Sequence, residues 1–146
     1  MNIFKLDSFY DYLYLMIICP CGSQNTYLDC CGAYLQKRLI PKTPLALMRS
    51  RYTAFVEKRY DYIRRTMQPP ASLKFDKSAI IKRKEAWLGL EIINTSFHET
   101  NPDIGFVEFI ARYKLDNQEY AIHEKSEFHF KDGRWYYVDG KPVTGS

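Results

Sequence analysis

All four cysteines of this 146-residue chain fall in one short stretch, as a close pair and an adjacent pair: Cys19, Cys21, Cys30 and Cys31. Thiolates brought together from two such pairs can surround one Zn²⁺ ion tetrahedrally, with each sulfur about 2.3 Å from the metal. Gly22 and Gly32 allow the sharp turns that such a loop needs. We therefore predict a structural zinc site in which protein ligands fill all four positions and leave none for activating water.

Disulfides or free thiols are the alternative state of these cysteines. A bridge within either pair would be strained, because its members are adjacent or one residue apart, and a crossed pairing would close only a very small loop. A reducing, cytoplasmic location is expected, since residues 1–18 lack the features of a secretory signal. Lys5 is their single basic residue, and Asp7 and Asp11 interrupt the apolar run. Zinc is therefore favoured over disulfides.

Residues 1–18 have two other interpretations. They can form an amphipathic helical extension, or they can precede a true start at Met16. The segment is too short and too polar to span a bilayer, so no membrane association is expected.

The hydrophobic period changes near Trp87, from helical spacing to alternation. Helices are predicted before this point, at 33–39, from Pro44 after an N-cap at Thr43, at 60–67, and to about Lys84 after an N-cap at Asp76 or Ser78. Strands are predicted after it, at 87–97, 104–115, 119–130 and 134–139. Helices followed by strands indicate an α+β fold, with helices on one face of a four-stranded antiparallel sheet.

Two family resemblances cover residues 19–140. Cys-Pro-Cys-Gly-Ser, eight residues, then Cys-Cys-Gly resembles the SEC-C zinc motif at the C-terminal tail of the preprotein translocase motor ATPase. The later segments are similar to the uncharacterised YchJ-like family: Leu-Met-Arg-Ser-Arg-Tyr-Thr-Ala-Phe at 47–55, Trp-Leu-Gly-Leu-Glu-Ile at 87–92, Gly-Phe-Val-Glu-Phe at 105–109, His-Glu at 123–124 and Gly-Arg-Trp-Tyr-Tyr-Val-Asp-Gly at 133–140.

The resemblance implies a SEC-C zinc knuckle followed by a domain like nuclear transport factor 2 (NTF2-like, or cystatin-like), whose curved sheet often encloses a conical pocket. It implies no particular activity. Three parts are therefore expected: an N-terminal extension at 1–18, the knuckle at 19–36 and the NTF2-like domain at 37–146.

Glu124 is unusual in the predicted sheet. If residues 116–118 turn the central hairpin, Glu124 faces Ala111 on a side where only it and Ser126 are polar. A carboxylate there needs a partner, and Arg51 borders the apolar stripe of the main helix. We favour a buried ion pair between Arg51 and Glu124, with Tyr52 or Tyr62 nearby.

The alternative for these residues is a polar patch at the floor of a conical pocket, with these members: Arg51, Tyr52, Tyr113, Glu124 and Ser126. No catalytic residue is predicted. Adjacent strand residues point to opposite faces, so His123 is not expected to act with Glu124 unless a bulge between Tyr120 and Glu124 reverses its side. The alternative function is therefore small-ligand binding or catalysis in the conical pocket around Glu124, and the sequence favours a protein that is not an enzyme.

Basic residues concentrate in the helical half. Residues 37–84 hold 14 lysines and arginines against three acids, and the members expected on the surface are Lys37, Arg38, Arg64, Arg65, Lys82, Arg83 and Lys84. A zinc-stabilised interaction module, or adaptor, with an anionic protein partner is the favoured function. Ribosomal and translocation-associated proteins are candidates for that partner. Nucleic acid is a weaker alternative, because no strand carries the aromatic spacing of an RNA-binding module.

Overall fold

The structure, a computed structural model, describes residues 9, 13 and 15–144. Most of the predicted extension at 1–18 thus lies outside the described residues. Beyond residue 18 the α-helices are α1 (Cys31–Leu35), α2 (Pro44–Val56), α3 (Tyr60–Arg65) and α4 (Lys77–Lys82), and 3-10 turns lie at Tyr27–Asp29 and Ala71–Lys74.

Side chains cap α2 and α4 as the sequence predicts. The Thr43 hydroxyl oxygen accepts a hydrogen bond from the backbone N–H of Ala46 at 3.0 Å, and Pro44 begins α2. Asp76, rather than Ser78, caps α4, because its carboxylate accepts from the N–H of Ala79 at 3.1 Å. Each cap satisfies an N–H group that has no partner within its helix.

The strands form one antiparallel sheet in sequence order, with these bounds: β1 (Ala86–Phe97), β2 (Ile104–Leu115), β3 (Gln118–Lys131) and β4 (Arg134–Pro142). Register shifts interrupt β1 between Trp87 and Gly89 and again between Ile92 and Asn94. Such bulges bend a sheet, so its helix-facing side becomes concave. The predicted α+β fold with a four-stranded antiparallel sheet is confirmed.

The central hairpin has a shorter turn than predicted. Its turn is the two residues 116–117, both with positive φ (50° and 65°), where 116–118 was predicted. Positive φ at both positions gives a turn whose twist matches that of the strands. Glu124 therefore lies opposite Phe109 rather than Ala111. Because the register differs by two residues, every side chain keeps its predicted face.

The two faces of the sheet have opposite character. Val107 and Phe128 are fully buried on the side that packs against α2. The other face carries most of the charged residues of β2 and β3, and there His123 lies 2.8 Å from Glu108. His123 is thus held away from Glu124, as the strand alternation predicts.

Candidate metal centre and adjoining cavity

The four cysteine sulfurs form one compact cluster. All four Sγ atoms lie within 4.8 Å of one another. Cys30 Sγ is 3.6 Å from Cys21 Sγ and 4.0 Å from Cys31 Sγ. Sulfurs around a tetrahedral metal with bonds of about 2.3 Å would be about 3.8 Å apart, so this donor set fits one ion. The cysteines are free, and a disulfide would need sulfurs at about 2 Å.

The protonation of the cluster is shared between neighbouring thiols. Hydrogen bonds from Cys19 and then Cys31 hold the pKa of the Cys21 thiol far below its ordinary value, whereas the bonds to Cys19 and Cys21 raise the pKa of Cys31. Burial raises the pKa of Cys30 to about 11. A metal ion bound here must displace these protons, so metal affinity should decrease as the pH is lowered.

Two of the sulfurs contact hydroxyl groups. Ser23 Oγ lies 3.2 Å from Cys30 Sγ, and Thr53 Oγ1 of α2 lies 3.8 Å from Cys19 Sγ. Cys30 is partly exposed and the other three cysteines are buried, so the cluster meets solvent on the Cys30 side. Contacts of this kind orient ligating atoms around a metal.

The cysteine loop is fastened to α2 and to β1. Arg49 Nη1 donates a hydrogen bond to the backbone oxygen of Cys21 at 2.6 Å. Gly22 has φ of 81°, and a Cβ at that position would lie 2.6 Å from the backbone oxygen of Leu90. Only glycine combines this backbone angle with so close an approach.

A second contact ties the far side of the loop to the end of α2. The Tyr27 hydroxyl donates to Glu57 at 2.9 Å, and Gly32 allows the Tyr27 backbone oxygen to approach within 2.7 Å of where a Cβ would be. Cys19, Cys21 and Cys31 share the hydrophobic core with Leu47 and Phe128, among others. The loop is therefore packed into the domain and does not project from it.

A cavity of about 450 Å³ lies between the helices and the concave face of the sheet. Small-molecule sites occupy about 300–1,000 Å³, so the cavity is large enough for a ligand. The predicted pocket residues that line it are Arg51, Tyr52, Glu124 and Ser126. Tyr113 is not one of the lining residues, and its ring packs against those of Trp87 and Tyr120, with centroids 5.4 Å and 5.3 Å away.

The predicted ion pair between Arg51 and Glu124 is wrong. Arg51 Nη1 donates to the backbone oxygen of Ile63 at 2.8 Å and to Thr66 Oγ1 at 2.6 Å. Within residues 15–144 no carboxylate oxygen lies within 4.0 Å of Arg51. The guanidinium binds the C-terminal end of α3 instead of Glu124, because the last carbonyls of a helix lack helical hydrogen-bond partners and carry partial negative charge.

The Glu124 side chain lines the cavity. Its carboxylate accepts no hydrogen bond from the described residues, and burial raises its pKa above the ordinary value of 4.5. A Cβ on Gly140 would lie 2.6 Å from the Tyr137 hydroxyl and 3.1 Å from Glu124 Oε2. These two polar groups therefore converge over the bare backbone of Gly140 at the cavity floor.

Comparison with known proteins assigns the family. The model of the YchJ middle NTF2-like domain matches residues 43–140. A UPF0225 protein of Yersinia pestis (strain Pestoides F) is 42% identical over 133 residues, which cover 88% of this chain and 86% of that protein. The chain belongs to the YchJ (UPF0225) family. A UPF0225 protein of Yersinia pseudotuberculosis (serotype O:3, strain YPIII) matches this YchJ family chain to the same extent, at 42% over 133 residues.

Solved structures of SEC-C motif proteins share the fold of this YchJ family member. A solution structure from Rhodopseudomonas palustris has a TM-score of 0.77 and 37% identity, covering 88% of this chain and 100% of that one. A crystal structure from Psychrobacter arcticus has a TM-score of 0.73 and 28% identity, covering 92% and 87%. The predicted family resemblance is thus confirmed, and the four cysteines could hold a metal ion.

A second carboxylate in the cavity of this YchJ family chain escaped the sequence analysis. Glu85 has a side chain only 7% exposed, and its Oε1 pairs with Arg83 Nε at 3.5 Å. Its Oε2 is the one side-chain oxygen or nitrogen in residues 15–144 that is fully buried without a hydrogen-bond partner. Glu85 lies two residues before Trp87, and strand alternation continued backwards would have placed both on the inner face.

Among the described residues of this YchJ family chain, no helix is long and apolar enough to cross a membrane.

Proposed function

We propose that this chain is a zinc-stabilised, cytoplasmic protein that binds a small molecule in the cavity between α2 and the sheet. The observation that carries the proposal is the cavity itself, which has ligand size and presents a carboxylate, Glu124, that accepts no hydrogen bond from residues 15–144. Four clustered thiols favour Zn²⁺ as the metal, and their reduced state suits the cytoplasm.

The lining of the cavity has the composition of a binding site. Its apolar wall includes the rings of Tyr52, Phe55 and Trp87, and its polar groups include Glu124 and Ser126. Ligand sites typically combine a mostly apolar wall with a few polar groups that fix orientation. The cavity therefore offers both affinity and selectivity for a small molecule.

Helix α2 connects the metal centre to the cavity. Arg49 and Thr53 contact the cysteine loop, whereas Arg51, Tyr52 and Phe55 line the cavity from the same helix. A zinc ion held by the cysteines would supply structural stabilisation, because no ligand position is left for a reacting group. The metal would thus hold α2, and with it one wall of the cavity, in place.

A library of metabolites tests this proposal by thermal shift on the zinc-loaded full chain. Ala111→Leu adds bulk to the cavity wall, and Ala121→Leu adds the same bulk to an exposed position on β3. We expect a hit to raise the Tm of the wild type and of the Ala121 variant but not of the Ala111 variant. An equal shift in both variants would place the ligand elsewhere and contradict the proposal.

An adaptor function is the second candidate, favoured by the basic helical surface. The seven basic residues predicted on the surface are all exposed: Lys37, Arg38, Arg64, Arg65, Lys82, Arg83 and Lys84. Such a surface suits an acidic protein, with ribosomal or translocation-associated proteins as candidates, and nucleic acid as the weaker one. We rank this function second because the cysteine loop packs against α2 and leaves little of the metal centre for docking. Purified complexes that dissociate as salt is raised would support it.

A further inference from the structure

A second cavity, which we call the β4 groove, lies between residues 37–41, α3 and the first residues of β4. Its volume is about 300 Å³, large enough to hold the side chains of a bound partner. Helix α3 separates it from the larger cavity, because Ile63 lines the larger cavity whereas Tyr62 and Arg65 line the β4 groove. The β4 groove is therefore a distinct surface that the proposed small-molecule site does not use.

The β4 groove is positively charged. The cations on its lining are Lys37, Arg65 and Arg134, all exposed, and none of its lining residues is acidic. Arg65 pairs with Asp61 at 3.1 Å, but the Asp61 side chain is 63% exposed, and pairs so exposed contribute little. Lys37 and Arg134 form no ion pair within residues 15–144. The groove therefore attracts a negatively charged partner.

Apolar side chains form one rim of the β4 groove. Leu39 and Ile40 are adjacent in the chain, line the groove, and are 57% and 45% exposed. Covering exposed apolar side chains is favourable, so a partner that packs on them gains free energy. Because this rim lies beside the three cations, it suits a partner that carries apolar as well as acidic side chains.

The first residues of β4 form an edge of the sheet beside the groove. Phe130 of β3 lies opposite Trp135 in the ladder and donates its N–H to the Asp103 oxygen at 2.8 Å, on the β2 side. Opposite residues of an antiparallel ladder alternate between hydrogen-bonded and non-bonded pairs. The N–H and C=O of Trp135 therefore point away from β3, toward the open edge.

The next position along this edge shows what such groups can bind. The Tyr137 N–H donates to the Thr66 oxygen at 2.9 Å, and the Gln68 N–H donates to the Tyr137 oxygen at 3.0 Å. The chain that follows α3 thus pairs with β4 there, as one parallel bridge. At Trp135, which lines the groove, no group in the described part of the chain takes that place. An extended peptide in the groove can bond both groups.

We infer that the β4 groove is the docking site for an extended acidic segment of a partner protein. Its acidic side chains would pair with the three cations, and its apolar side chains would pack on Leu39 and Ile40. Its backbone would bond the N–H and C=O of Trp135 and so add a strand to the edge of the sheet. This inference deepens the adaptor function, the second candidate above, by naming its docking site and the form of its partner. It does not depend on ligand binding in the larger cavity.

Selection from a library of short random peptides displayed on bacteriophage tests the partner class, with the zinc-loaded full chain as bait. A parallel selection uses the double variant Lys37→Glu/Arg134→Glu, in which two of the three cations are reversed. We expect the wild type to enrich peptides that combine acidic with apolar residues. The double variant should not enrich them, because it repels their carboxylates.

Matched charge variants locate the binding of an enriched peptide made synthetically. At physiological ionic strength, Lys37→Glu/Arg134→Glu should weaken its binding by at least about tenfold. Lys82→Glu/Lys84→Glu makes the same change in net charge at exposed positions away from the groove and should leave the affinity unchanged. Circular dichroism and zinc content establish that each variant is folded and loaded.

Two further measurements test the rim and the sheet edge. Leu39→Ser should weaken peptide binding, whereas Leu73→Ser, at a leucine that is 79% exposed outside the groove, should not. The bound peptide should slow hydrogen exchange of the Trp135 amide by at least about tenfold, because this N–H gains a partner. Exchange at Trp135 that the peptide leaves unchanged would overturn the strand addition.

The remaining outcomes separate this inference from the functions proposed above. The docking site is wrong if no acidic peptide is enriched, or if the double variant enriches the same ones. Tighter binding of a random single-stranded RNA, lost in the double variant, would make nucleic acid the ligand of the groove and overturn the peptide. Salt-sensitive protein complexes that persist in the double variant would overturn this docking site but leave the adaptor function standing.

Discussion

The guanidinium carbon of Arg51 lies 4.6 Å from the centre of the Tyr137 ring. Arg51 of α2 therefore contacts an aromatic side chain of β4, whereas the sequence predicted an ion pair with Glu124 of β3. The two residues consequently have different roles. Arg51 holds α2 against α3 through Ile63 and Thr66, while the Glu124 side chain lines the cavity.

Replacement of Arg51 should be strongly destabilising. Arg51→Met removes the donor to the Ile63 oxygen and the contact with Tyr137, and we expect the free energy of unfolding to fall by about 2 to 4 kcal/mol. Arg51→Lys keeps the charge but not the planar guanidinium, so its free energy of unfolding should lie between those of Arg51→Met and the wild type. Urea unfolding measures the three proteins, and a loss below about 0.5 kcal/mol for Arg51→Met would contradict the assigned role.

Replacement of Glu124 should have the opposite effect at neutral pH. Burial raises its pKa in the folded state, so the protonated form is favoured there and ionisation lowers stability as pH rises through that pKa. Glu124→Gln stays neutral, and we expect its Tm to exceed that of the wild type by about 2 °C at pH 7.

This advantage should vanish as pH falls below 4.5, where the wild-type carboxyl is protonated in both states. Thermal unfolding followed from pH 4 to 7 measures it, with Glu119→Gln as a control at an exposed acid. A large drop in Tm for Glu124→Gln would instead indicate a stabilising partner for the ionised carboxylate.

Loss of a buried cysteine should affect the whole domain. Cys31→Ser removes a sulfur from the cluster and from the core that contains Leu47 and Phe128. We expect bound zinc to fall from one per chain to a small fraction, and the Tm of the cooperative transition to fall with it. Elemental analysis of protein purified without chelator measures the zinc. Retention of one zinc per chain would show that Cys31 is not a ligand.

The hydroxyl of Ser23 should tune the metal affinity. It lies 3.2 Å from Cys30 Sγ, where it can donate to a metal-bound thiolate and stabilise its charge. Ser23→Ala should weaken zinc affinity by about tenfold with the fold retained. Competition with a chromophoric chelator measures this affinity, and Asn25→Ala in the same loop is the matched control. Equal affinities in both variants would exclude a role for the hydroxyl.

Arg49 should control how firmly the cysteine loop is held. Arg49→Ala removes the hydrogen bond to the Cys21 backbone oxygen, and we expect a loss of about 1 to 3 kcal/mol in unfolding free energy. Zinc should also dissociate faster, because the loop can then open away from α2. Lys58→Ala, at an exposed position beyond the same helix, should change neither quantity. An unchanged zinc release rate in Arg49→Ala would show that the hydrogen bond from Arg49 to the cysteine loop does not control metal release.

Much of the fold and of the metal centre follows from local features of the sequence. The cysteine spacing predicts the four-sulfur cluster, since two close pairs bring their sulfurs together over a short loop. Thr43 and Pro44 predict the start of α2, and strand alternation predicts which face each sheet residue occupies. Each of these features depends on residues close together in the chain, because side chains repeat every 3.6 residues in a helix and every two residues in a strand.

The tertiary structure alone decided the partners and the cavity. The two-residue turn at 116–117 set the pairing of β2 with β3, although either turn length gives the same faces. Arg51 donates to a carbonyl at the end of α3, and the Glu85 side chain is buried between α4 and β1. Both contacts join residues from different elements, so the local sequence does not predict them. An open cavity is likewise the space left between packed elements, so no period or motif in the chain specifies it.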